Sequence, residues 1–242
     1  MAKKQKTEVV STGYTPRELQ EKLHKELRRF NVLVMHRRFG KTVFAINEMI
    51  DQGLRCTLKN PQFAYIAPTY KQAKMVAWEY LIDFTRAIPG MEINKSELSV
   101  TIPRPTRNDK IKYMLLGAES PDALRGIYLD GAILDEYAQC DPIIWGQIIR
   151  PALSDRKGWS IFIGTPKGMN HFHKIFLVAQ GLDNWYTKMY KASETGVVDA
   201  EELVDARATM SEEEYNQEYE CDFTAAIMGS YYGNLLNELR DH

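Results

Sequence analysis

The chain has 242 residues, 44% of them hydrophobic and 26% charged, enough for one large α/β domain with a sizeable core. A formal net charge of −1 excludes a globally basic surface, so any contact with nucleic acid must be a local patch. Three widely spaced cysteines, Cys56, Cys140 and Cys221, support neither a disulfide framework nor a CxxC metal site, and no apolar run approaches the roughly 20 residues that cross a bilayer.

Residues 1–13, basic and then polar, are expected to form a mobile arm. Thr15, Pro16 and Glu18 predict a helix start, with the threonine as N-cap, and Leu19, Leu23 and Leu27 then recur at helical spacing. Tyr14 and Gln20 lie at this entry, where the ring could stack on a base and the amide could read its edge. A hydrophobic staple and a solvated glutamine explain them equally well. The apolar run beginning at Asn31 stops at a basic loop, His36-Arg37-Arg38-Phe39-Gly40-Lys41-Thr42, before the helix-forming VFAINEMI. Strand, loop and helix in that order put the first helical amides beside the loop, where phosphate oxygens are cradled. Gly40 allows close backbone approach, Lys41 reaches terminal phosphates, and the Thr42 hydroxyl suits a magnesium ion, as in a phosphate loop of Walker A type. Met35 occupies the position of the first signature glycine.

FAYIA (63–67) predicts a second buried strand, and Pro68-Thr69 opens a helix carrying Lys71, Lys74, Trp78 and Tyr80. SVTIP and KYMLLG, joined by RPTRNDK, read as an antiparallel hairpin whose turn crowds Arg104, Arg107 and Lys110. Gly131 to Leu134 is a short apolar strand ending in Asp135-Glu136, a Walker B pattern at the strand end that faces the ligand crevice in doubly wound sheets. There Asp135 would hold the metal and Glu136 would orient and deprotonate an attacking water. WSIFI (159–163) predicts a further strand closed by GTPKG, where Thr165 could sense the terminal phosphate, though a turn rich in breakers explains the segment equally well. A helix from about Asn170, a strand at WYTKMY and acidic helices near 200–210 and 212–219 follow. His171 and His173 have no convergent ligand partners and read as surface or packing residues.

With GYTPRELQ, HRRFGKT, YIAPTYKQAK, ALRG, AILDEYAQCDP, FIGTPKG and QEYECDF in this order, the chain resembles the ATPase domain of the large terminase subunit, the DNA-packaging motor of tailed double-stranded DNA bacteriophages. The resemblance implies a phosphate-loop NTPase fold of the RecA/ASCE type, a mostly parallel sheet flanked by helices on both faces. It also implies ATP and Mg2+ as cofactors and an activity coupling ATP hydrolysis to translocation of double-stranded DNA into the procapsid. By resemblance Gln20 is the adenine-proximal glutamine, Arg37 a sensor of the terminal phosphate beside Arg38 and Phe39, and Arg125 an arginine finger acting on a neighbouring subunit. Thr165 falls in the motif that couples hydrolysis to motion. Implied partners are the portal protein, the small terminase subunit and further copies of the chain, monomeric in isolation and forming a pentameric ring on the capsid, in the host cytoplasm and away from membranes. Lys71, Lys74, Arg104 and Arg107 are the candidate DNA contacts.

The expected organisation is an ATPase domain over 14–228 followed by a linker or tail over 229–242. The nuclease half that large terminases carry is not expected in this sequence, which reads as an isolated, engineered motor domain. Two rival readings remain: a helicase-like DNA-dependent ATPase, and a nucleotide-dependent ring-assembly module with little turnover. Glu136 argues against the second, since a pure binder needs no catalytic carboxylate.

Overall fold

A computed structural model describes residues 11–225, so the expected tail and most of the expected arm lie outside the described residues. The strands are β1 (Phe30–Met35), β2 (Gln62–Ala67), β3 (Glu92–Asn94), β4 (Ser99–Arg104), β5 (Asp109–Gly117), β6 (Gly131–Leu134), β7 (Trp159–Gly164) and β8 (Trp185–Tyr190). They form one sheet in the order β3-β4-β5-β2-β6-β7-β1-β8. The six strands from β5 to β8 are parallel, and β4 and β3 continue the β5 edge antiparallel. The expected hairpin is therefore present as β4–β5, with Arg104 opposite Asp109 at its turn. The short edge strand β3, fully exposed, carried no pattern in the sequence.

The helices are α1 (Glu18–Glu26), α2 (Lys41–Arg55), α3 (Tyr70–Thr85), a short α4 (Arg150–Ala152), α5 (His171–Ala179), α6 (Ala192–Thr195), α7 (Ala200–Thr209) and α8 (Glu212–Glu218). A π-helical turn, Ile144–Ile149, runs into α4. The central strands are apolar on both faces because both are covered. Along β1, Leu33 and Met35 pack with Phe44, Ile46 and Met49 of α2 and Ala73 and Ala77 of α3, while Val32 and Val34 pack with Ile144, Ile148 and Phe172 on the opposite face. Alternation with period two divides one strand between two cores. Each of the larger buried side chains here, the valines, leucine, isoleucines, methionines and phenylalanines, contributes about 1.5–3 kcal/mol.

Helix α1 begins later than Thr15 suggested. Arg17 is its N-cap, and its backbone N–H donates to Gln20 Oε1 at 3.0 Å. The side chain at the third helical position thus performs the capping that was expected from the threonine. Thr69, by contrast, caps α3 by accepting from the Gln72 amide, and Asn170 caps α5 by accepting from the Phe172 amide.

Candidate active site

The three chemistry-bearing segments of the sequence meet at the C-terminal ends of β1, β7 and β6. Because β7 lies between the other two, its last residue stands between the basic loop after β1 and the acidic pair after β6. No feature of the one-dimensional spacing required that neighbourhood.

The loop His36–Gly40 leaves a β1 that pairs with β8 right through Met35, opposite Tyr190. Met35 is fully buried, so a β-strand residue stands where the signature has its first glycine. The loop is instead held from outside. Arg17 Nη1 donates to the Phe39 carbonyl at 3.2 Å and Gln20 Nε2 to the Gly40 carbonyl at 3.3 Å. The Arg37 amide donates to the Glu218 carbonyl at 2.8 Å, and Phe39, buried, stacks on Tyr190 with ring centroids 4.9 Å apart. His36 is fully buried and both ring nitrogens are used: Nδ1 lies 2.6 Å from the Arg37 carbonyl and Nε2 2.8 Å from Thr195 Oγ1. A carbonyl only accepts, so Nδ1 carries the proton and Nε2 accepts from the threonine hydroxyl. Burial pushes the imidazole below its usual pKa, which keeps it neutral in that arrangement. Gly40 has φ 92°, a backbone conformation that favours glycine, and a Cβ there would lie 3.0 Å from Gln20 Nε2, so a side chain would also push on the amide that holds the loop.

Lys41 opens α2, and its Nζ lies 3.6 Å from Glu136 Oε1 and 3.4 Å from the Met35 carbonyl. Glu136 itself is in the left-handed region at φ 43°, a conformation costing on the order of 1–3 kcal/mol that aims its side chain back across β7. Its Oε2 accepts from the Thr165 amide and hydroxyl, both at 3.4 Å. Gly164 makes this crossing feasible, because a Cβ there would stand 3.3 Å from Glu136 Cα.

Asp135 is buried. Its Oδ1 accepts from the Glu136 amide at 3.0 Å and its Oδ2 from the Tyr65 hydroxyl. Burial, reinforced by the neighbouring Glu136 charge, raises its carboxyl to about 6. Thr42 stands in the first turn of α2, the helix that packs against β6, the strand that ends at Asp135. No cluster of three or more metal-ligating His, Cys, Asp or Glu side chains occurs among the described residues. One carboxylate and one hydroxyl fit a hard cation that takes its remaining ligands from phosphate oxygens and water, as magnesium does.

Other expected residues lie elsewhere or are otherwise engaged. The Tyr14 hydroxyl is 3.1 Å from His24 Nε2 and its ring packs edge-on against His24 and Phe84, lining a cleft of about 620 Å³ between α1 and α2. Its hydroxyl and ring are both engaged in these contacts. Gln20 does reach the loop, its amide oxygen accepting from the Arg17 amide and its Nε2 donating to the Gly40 carbonyl. Arg37 and Arg38 are exposed, Arg37 facing Glu218 at 3.4 Å and Arg38 with φ 69°. Arg125 is exposed in the loop before β6, with Nε 2.7 Å from Asp122. Lys71 and Lys74 are exposed on α3. Arg104 is a correction to the DNA-contact reading. Its guanidinium is turned inward onto Asp109 and the Cys56 and Leu58 carbonyls, and it ties the hairpin to the chain after α2. Arg107 donates to the Thr57 carbonyl from the surface. His171 bonds the Tyr137 carbonyl and His173 packs on Phe223, a packing use of both histidines.

Sequence reasoning missed Tyr65 and His36. A tyrosine inside the otherwise apolar strand FAYIA was the available signal for the first, since a buried phenol needs a polar partner. Nothing local marked His36, whose partner Thr195 is remote in sequence.

A family model described as terminase large subunit, T4likevirus-type, N-terminal, matches residues 35–236. The chain belongs to this terminase large-subunit family. It is 31% identical over 180 residues to the terminase large subunit of Thermus virus P23-45, covering 69% of the chain and 37% of that relative. To the terminase large subunit of Escherichia phage T5 it is 26% identical over 204 residues, covering 81% and 44%. The chain thus spans between 37% and 44% of the length of these two terminases. Among solved structures, the large terminase ATPase domain of Thermus phage P74-26 matches with TM-score 0.75 and 26% identity, over 88% of the chain and 96% of that domain. The large terminase of another thermophilic bacteriophage, solved in complex with ADP, shares the fold, with TM-score 0.68 and 16% identity over 81% and 48% of the two chains. These likenesses are to RecA-like terminase ATPase domains, in agreement with the mostly parallel sheet. Among the described residues no helix is long and apolar enough to cross a membrane.

Proposed function

We propose that this terminase domain binds ATP with Mg2+ and hydrolyses it, and that the hydrolysis drives double-stranded DNA into the procapsid. The observation that carries the reading is the meeting of Gly40-Lys41-Thr42 with Asp135-Glu136 across the end of β7. The likeness to the P74-26 large terminase ATPase domain and the ADP complex of the second thermophilic-phage terminase support it.

Roles follow from position. Gly40 and the free amides at the start of α2 receive the phosphates, and Lys41 neutralises their charge. Thr42 and Asp135 hold the cation, which when bound offsets charge on the terminal phosphate oxygens. Glu136 orients a water and takes its proton, and the Thr165 amide and hydroxyl hold its carboxylate, so that Thr165 registers any movement of Glu136 toward the phosphate. Gln20 and Arg17 position the loop from α1. In this reading Arg37 and Arg38, on the loop's exposed edge, contact the terminal phosphate, and exposed Arg125 acts on a neighbouring subunit. An inserted arginine accelerates phosphoryl transfer by roughly a thousandfold or more. The biological unit is a ring on the portal, pentameric by resemblance, with the small subunit as partner, and Lys71, Lys74 and Arg107 remain as DNA contacts. The ATPase domain is taken as 14–228.

The test is steady-state ATP hydrolysis across a concentration series, run beside Glu136→Gln and Arg125→Ala. Activity per subunit that climbs with concentration, and is lost in both variants with nucleotide binding retained, supports a motor with a finger in trans. Hydrolysis unchanged by Glu136→Gln sinks the catalytic assignment, and binding without any hydrolysis favours the assembly module.

A further inference from the structure

Tyr65 sits in the middle of the site with no role in the reading above. Its ring is fully buried in β2, next to β6 in the sheet and in register with Ile133. Phenylalanine would fill that volume without burying a hydroxyl, and a buried hydroxyl without a partner costs about 1–3 kcal/mol. The hydroxyl donates to Asp135 at the end of β6, a candidate cation ligand. The phenol therefore reaches from a neighbouring, rigid strand to the carboxylate assigned to the cation. Asp135 has one oxygen fixed by the Glu136 amide, and Tyr65 fixes the other. A carboxylate held at both oxygens cannot rotate about its terminal bond, which is how outer-shell partners orient metal ligands.

We propose that Tyr65 is a positioning residue of the metal–nucleotide centre, its hydroxyl holding the Asp135 carboxylate in the orientation that a divalent cation requires. This rests on the assignment of Asp135 above. Tyr65 acts through that ligand, so its loss is read in metal dependence before it is read in fold.

The experiment uses the whole chain, Tyr65→Phe beside Asp135→Asn, with binding of a non-hydrolysable ATP analogue titrated against Mg2+ and repeated in EDTA. Tyr65→Phe is expected to raise the Mg2+ concentration for half-maximal tightening by about 10- to 100-fold, the usual effect of removing an outer-shell partner, and to leave affinity in EDTA unchanged. A wild-type Mg2+ midpoint in Tyr65→Phe, with Mg2+ dependence abolished in Asp135→Asn, overturns the role of Tyr65 alone. An Mg2+ dependence that survives Asp135→Asn sinks the ligand assignment beneath it. Affinity lost equally in EDTA and in Mg2+ would make Tyr65 a packing residue and also overturn the proposal.

Discussion

Replacing Asp135 with asparagine should make the ligand-free protein more stable while removing its metal response. Burial holds the Asp135 carboxyl at about 6 against 3.8 for an unhindered aspartate. At 1.36 kcal/mol per tenfold change in protonation equilibrium, that difference costs the native state about 3 kcal/mol at neutral pH. The sign follows from the folded value being the higher one. The penalty is fully present above about pH 6, is roughly halved by pH 5, and vanishes below the unfolded value near 4. Asparagine removes the charge but cannot accept at both of its terminal atoms, so one of the bonds from Tyr65 and the Glu136 amide is lost, returning about 1 kcal/mol or slightly more. The net gain is about 1–2 kcal/mol, or roughly 3–6 °C in melting temperature for a domain of this size. Thermal unfolding of both proteins in EDTA at pH 7.5, 6 and 5 measures it. A variant no more stable at pH 7.5, or a difference that stays constant across this range, would refute the claim that Asp135 is held ionised at a cost for function.

Three further outcomes follow from the geometry. His36→Ala removes bonds to the Arg37 carbonyl and Thr195 hydroxyl and leaves a cavity, so about 3 kcal/mol should be lost in denaturant unfolding, with Thr195→Val costing about 1 kcal/mol. Gly164→Ala introduces a Cβ 3.3 Å from Glu136 Cα, and displacing the carboxylate should slow turnover roughly tenfold to a hundredfold with nucleotide affinity intact, as single-turnover and binding assays would separate. Arg104→Ala should lower the melting temperature, because the Cys56 and Leu58 carbonyls and Asp109 lose their donor, and leave DNA affinity in a filter-binding assay unchanged, whereas Lys71→Ala should weaken it.

By itself the sequence determined the alternation of short apolar strands with amphipathic helices, the basic loop ending in Gly40-Lys41-Thr42, and the carboxylate pair at the end of an apolar strand. Those features are local: periodicity and strand-end chemistry involve residues close in the chain, and they sufficed for the fold class and for naming candidates at the strand ends. Tertiary structure alone decided how the pieces are held. Strand order placed β7 between β1 and β6 and so brought Thr165 to Glu136. It brought Thr195 and Glu218 from the far end of the chain to the loop, supplying from outside what a first glycine supplies within the standard motif. It also turned Arg104 inward and tied Tyr14 to His24, two polar residues whose sequence surroundings offered no reason to prefer an internal partner over phosphate or base. The physical reason is common to all of these. A buried polar group must find a partner wherever the fold supplies one, and contacts between residues distant in sequence leave no periodic trace in it.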